Sequence, residues 1–126
     1  MRKLTLIAAL VVMTIPVLAG VAFAADQIIQ CRTVPCYGTG NNDLVYERVG
    51  NHKRDRIILK GGHDKVLASA YGKDRDVIKS GKGRDRINVA DRDTRDLAAA
   101  GRGTRDFCVV DSVAELGPGC DAHKIQ

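Results

Sequence analysis

Residues 80–89, SGKGRDRINV, decide how this chain folds. From Ser80 to Asn88 they have the form x-G-x-G-x-D-x-U-x, where U is a large apolar residue. Two glycines suit a turn, and Asp85 follows it. Ile87, two positions on, is β-branched and suits a strand facing an interior. Arg84 and Arg86 bracket the aspartate, so the stretch joins a buried-strand signal to a strongly cationic surface.

The same order recurs on both sides. Asp43, Asp64, Asp85 and Asp106 form one series, each 21 residues from the next, and Asp55, Asp76 and Asp96 fall between them. Two residues after these seven aspartates come Val45, Ile57, Val66, Ile78, Ile87, Ala98 and Cys108. A D-x-U frame held this long marks an internal repeat. One unit cannot bury its apolar side alone, but stacked units can. The expected fold is all-β, a parallel β-roll or β-solenoid of about four windings with two strands in each. Recurring glycines argue against helix. Those placed to form turns are Gly38, Gly40, Gly61, Gly62, Gly81, Gly83, Gly101 and Gly103.

Three motifs carry a family resemblance: YGTGNNDLV at the start, SGKGRDRIN in the middle and GTRDFCVVDSVAELGPGC at the end. The chain resembles the hemolysin-type (RTX-like) calcium-binding repeat proteins, in a small secreted form with basic repeats. The resemblance spans about Cys31 to Asp121. It implies Ca2+ bound in the turns by the aspartate carboxylates and by backbone carbonyls of stacked turns. The metal-ligating candidates are then Asp43, Asp64, Asp85 and Asp106 on one side, and Asp55, Asp76 and Asp96 on the other.

Stacked strands lie ~4.8 Å apart. Bare carboxylates at that spacing repel by roughly 1 kcal/mol per pair even in water. The columns therefore call for calcium or for arginine. The first side keeps its turn glycines and is the better calcium candidate. The second presents HKRD, KDRD and DTRD, which lack glycine before the aspartate and add cations. Asp74, Asp91 and Asp93 lie off the frame; they could add oxygens to a turn, but such residues are more often solvated turn residues. The rival expectation is a calcium-independent solenoid held by Asp–Arg ladders, with Arg84 reaching Asp64 or Asp106. Such a module would act structurally or adhesively on anionic cell-surface polymer.

The ends set the context. Met1-Arg2-Lys3, an apolar run over residues 4–21 and Ala22-Phe23-Ala24 read as a signal peptide over 1–24. The expected divisions are then a cap at 25–37, the repeat array at 38–112 and a second cap at 113–126. The mature chain would be secreted, monomer-sized and without membrane insertion. Without Arg2 and Lys3 it carries eighteen basic and fifteen acidic residues, a net charge of +3. It has no Trp, so its core needs staples. Cys31, Cys36, Cys108 and Cys120 suit two disulfides in an exported chain. Of the three possible pairings, Cys31–Cys36 with Cys108–Cys120 is the economical one.

Other functions are disfavoured. The cations are interleaved with aspartates and lack an aromatic stacking platform, which argues against nucleic acid. His52, His63 and His123 stand in no arrangement with a nucleophile, which argues against an enzyme.

Overall fold

The structure is a computed structural model and describes residues 26–49 and 53–126. The segment 1–24, expected to be a signal peptide, and His52 lie outside the described residues. Ten short strands run in order: β1 (Gln27–Gln30), β2 (Cys36–Tyr37), β3 (Asp43–Tyr46), β4 (Arg56–Ile58), β5 (Lys65–Leu67), β6 (Val77–Lys79), β7 (Arg86–Asn88), β8 (Leu97–Ala99), β9 (Phe107–Val110) and β10 (Ala122–Ile125). One 3-10 turn, Val113–Glu115, precedes β10.

The strands alternate between two sheets. Six form one sheet in the order β1-β3-β5-β7-β9-β10, and four form the other in the order β2-β4-β6-β8. Every pairing is parallel. The register follows the repeat: Val45 pairs with Val66, Val66 with Ile87, and Ile87 with Cys108. Opposite them, Cys36, Ile57, Ile78 and Ala98 align strand by strand. The sheets also extend into both flanking segments, which supply β1, β2 and β10.

The D-x-U frame sorts side chains as the strand alternation requires. Val45, Ile57, Val66, Ile78, Ile87, Ala98 and Cys108 are all fully buried. Leu59, Ala68, Val89, Ala100 and Val110 add a second buried layer. Each buried Val, Leu or Ile contributes roughly 1.5–3 kcal/mol. Strands this short are marginal alone, so stability accrues by stacking.

Both economical disulfides form, Cys31 with Cys36 and Cys108 with Cys120. Cys108 occupies an interior repeat position and ties the last 107–110 strand to the segment leading into β10.

Five of the eight turn glycines are required by backbone, and Gly38 is crowded only by side-chain ends. Gly62, Gly81, Gly83 and Gly101 have positive φ, and Gly38 and Gly103 face atoms that a Cβ would meet below 3 Å. Gly40 and Gly61 have room for a side chain. Gly83 is the extreme case. Its φ is +128°, and a Cβ there would lie 1.6 Å from the carbonyl oxygen of Gly62 in the neighbouring turn. Backbone cannot yield that far without breaking the stack. Gly83→Ala is therefore expected to lose the cooperative thermal transition. Gly40→Ala, with nothing within 4 Å, should stay within about 0.5 kcal/mol of the parent. Circular dichroism melts of the two variants check this, and a normal melt for Gly83→Ala would refute the close turn packing.

Candidate metal centre

The seven frame aspartates fall into two columns of turns, and all seven are buried. In the first column, the amide of Asp43 donates to Asp64 Oδ1 at 2.9 Å. The Asp64 amide donates to Asp85 Oδ1 at 3.0 Å, and the Asp85 amide to Asp106 Oδ1 at 2.7 Å. Asp121 ends the series by accepting from the Asp106 amide at 3.0 Å. The second column repeats the device. The amides of Asp55 and Asp76 donate to Asp76 and Asp96 at 2.8 and 2.7 Å, and the Asp96 amide donates to Glu115 Oε1 at 3.3 Å.

This answers the repulsion problem in a way the sequence did not disclose. Backbone N–H dipoles, one per carboxylate, lie between successive aspartates. They take the place expected for arginine. Arg54, Arg75, Arg84, Arg95 and Arg105 are exposed. Among the described residues no arginine side chain pairs with Asp64, Asp85 or Asp106, and Arg84 gives its amide to His63 Nδ1 at 2.9 Å. Arg48 does pair with Asp55 in the second column.

Asp43 and Asp55 have both carboxylate oxygens bonded, to Thr39 and to Arg48 respectively. In the other five frame aspartates one oxygen is used and the other is not. Oδ2 of Asp64, Asp76, Asp85, Asp96 and Asp106, and Oε2 of Glu47, are buried without a hydrogen-bond partner. Burying a charged oxygen unpaired is costly, so the group favours its neutral form or seeks a cation. Burial raises Asp64 to about 7, with Asp85 and Asp43 adding to the rise against the pull of the Asp43 amide. Asp85 and Asp106 are raised, again mainly by burial. In the second column burial raises Asp76 to about 8, helped by Asp74, Asp96 and Glu47. Burial likewise raises Asp96 and Glu47 to about 7.

The columns differ in what surrounds these oxygens. Three groups of carboxylates have ligand atoms within 4.8 Å of one another: Glu47, Asp74 and Asp76; Asp74, Asp91 and Asp93; and Asp93, Asp96 and Glu115. All three lie in the second column. Asp74 and Asp93 are each shared by two groups, so the carboxylates make one continuous string. Sequence reasoning favoured the first column, where among the described residues no such group forms. It favoured solvated turn residues for Asp74, Asp91 and Asp93 over the alternative that they add oxygens to a turn, and the structure places all three in these groups. Asp74 is 6% exposed, and burial raises Asp91 to about 6.

Local structure builds the string. Lys73 and Arg92, each directly before one of its aspartates, have φ of 69° and 80°. Left-handed backbone at such residues costs of order 1–3 kcal/mol and concentrates at functional sites. The Lys73 amide donates to Asp93 Oδ2 at 2.7 Å, and the Arg95 amide to Asp93 Oδ1 at 2.8 Å. Glu47 Oε1 accepts from the Ala70 amide at 2.5 Å. Glu115 is held by a capping box with Ser112, and its Oε2 accepts from the amides of Asp111 and Ser112.

Two sequence signals pointed here. The segments KDRD and DRD place a second acid two residues from another, and SVAE is the Ser-x-x-Glu capping signature. The donor set is carboxylate throughout, with no His or Cys. Such a set suits a hard cation and excludes a zinc-type thiolate or imidazole site.

The described residues include no helix long and apolar enough to cross a membrane. The chain matches no protein-family model, no curated protein and no solved structure.

Proposed function

We propose that this chain is an exported β-roll that binds calcium along its second turn column and uses the ion to complete its fold. The observation that carries this reading is the carboxylate string. It buries oxygens of Glu47, Asp76 and Asp96 with no partner, at mutual distances that suit one ion per group. Calcium takes six to eight oxygens, so carbonyls and water would complete each shell. The ion would supply charge neutralisation and nothing more. The chain is accordingly a binding module and not an enzyme. Two disulfides favour an oxidising, extracellular setting.

The first column plays a different part in this reading. Its amide ladder holds the aspartates without an ion; Asp121 closes it at the Asp106 amide, and among the described residues no metal-spaced acid group forms there. The basic residues that flank the frame point outward and do not compete with the ion.

Asp93 is the residue to test, because it belongs to two of the three groups. Asp93→Asn keeps one acceptor for the amides of Lys73 and Arg95 but removes a charge. Isothermal calorimetry of the oxidised chain should give calcium binding in the parent and at least tenfold weaker binding in the variant. Magnesium should bind less well, since it demands a small octahedral shell. Absence of any calcium heat at millimolar ion would refute the proposal.

A further inference from the structure

The outer face of the six-stranded sheet carries a groove that none of the carboxylate string enters. It crosses β5, β7, β9 and β10. Three cations line it, Lys65, Arg86 and Lys124, with the amides of Asn88 and Gln126 and the ring of Phe107. Among the described residues no acidic side chain lines it. Half-buried Leu67 is its apolar contact beside the Phe107 ring, with Val109 buried beneath.

The parallel register fixes the layout. Lys65 pairs with Arg86 on neighbouring strands, and Arg86 with Phe107. Asn88 pairs with Val109, which pairs with Lys124. The groove therefore runs across the strands, along the direction of stacking. Four strands at ~4.8 Å give it a length of roughly 14 Å. Lys65 and Arg86 make one cationic pole. Lys124 makes a second, two strands beyond Arg86 and two residues along, or roughly 12 Å away. The Arg86 guanidinium lies 5.1 Å from the Phe107 ring centroid, which orients its fork.

From this arrangement we infer that the groove binds an acidic polysaccharide segment through carboxylates on its uronic-acid sugars. Charge complementarity selects an anion. Two separated poles select a chain with at least two charges. The amides suit sugar hydroxyls, and the Leu67 side chain suits the C–H face of a sugar ring. A phosphate chain would engage the cations and leave both of these unused. A nucleic acid would need a stacking surface for its bases, and the Phe107 ring is already covered by Arg86.

The test is calorimetric titration of the full oxidised chain, folded by circular dichroism in calcium buffer, with a hyaluronan octasaccharide. Saturable binding is expected. Arg86→Gln should weaken it about tenfold or more, the effect of losing one charge-assisted hydrogen-bonding group. Arg86→Lys should retain part of the affinity. Lys79→Gln, exposed on the other sheet, should change nothing. A neutral chitin tetrasaccharide should not bind. The inference is overturned if the octasaccharide fails to bind or if Arg86→Gln binds like the parent. It is equally overturned if polyphosphate or single-stranded DNA binds as tightly with the same dependence on Arg86.

Discussion

In chelator, the melting temperature of the oxidised chain should fall by about 10 °C or more as the pH is raised from 5 to 8, a loss of roughly 2 kcal/mol for a domain of this size. Millimolar calcium at pH 8 should restore it. The sign follows from the buried carboxylates. Asp64 and Asp96 are raised to about 7 and Asp76 to about 8, from an ordinary value of 3.8. The folded chain therefore holds protons that the unfolded chain releases near pH 4. Stability from those protons is fully present below that value and is lost as the pH climbs through 7 and 8. In the second column, at Asp76 and Asp96, calcium replaces the protons as the source of positive charge. Because it binds the folded chain, it stabilises by mass action, by about 2.7 kcal/mol at a hundredfold excess over Kd. There it competes with protons for the same oxygens, so its effect should be small at pH 5 and large at pH 8. A melting temperature independent of pH in chelator would show that the unpartnered oxygens are not buried as described.

Much of this was legible in the sequence because it obeys a linear rule. The inward positions follow from counting two residues beyond each aspartate, and every one of them is fully buried. The local disulfides follow from proximity in the chain. The amide ladder was not legible. Asp64 Oδ1 meets an amide 21 residues away, and the choice among amide, arginine and ion depends on side-chain direction, which the repeat does not encode. The carboxylate string was hidden for a related reason. Glu47, Asp74, Asp91, Asp93 and Glu115 keep no common frame, and the spacing from Asp76 to Asp96 shortens to 20 residues. Only stacking brings these acids together. The arginines left two readings open, side chains turned to solvent or a ladder with the aspartates. Strand and turn geometry sends adjacent side chains to opposite sides, and Arg54, Arg75, Arg84, Arg95 and Arg105 are exposed.

Neutral substitutions should separate the two columns. Asp85→Asn is expected to keep the full calcium response, whereas Asp76→Asn should lose more than half of the calcium-induced rise in melting temperature. In each, the asparagine carbonyl still accepts the amide one repeat earlier, from Asp64 or Asp55 respectively. The ladder survives in both variants. What changes is the second oxygen. In Asp85 that oxygen is buried without a partner, and among the described residues no metal-spaced acid group includes it. Removing its charge takes away a group whose pKa burial has raised. Asp85→Asn should therefore raise the melting temperature at pH 8 in chelator and flatten the pH dependence. Asp76 stands with Glu47 and Asp74, so its neutral form removes a ligand. Asp85→Leu is the control for the ladder. It leaves the Asp64 amide buried and unpaired, at a cost of about 1–3 kcal/mol, and should lower stability at every pH. If instead Asp85→Asn abolishes the calcium response while Asp76→Asn retains it, the ion binds in the first column. The amide ladder there must then give way to calcium as it binds, since Asp85 would have to turn its carboxylate from the Asp64 amide to the ion.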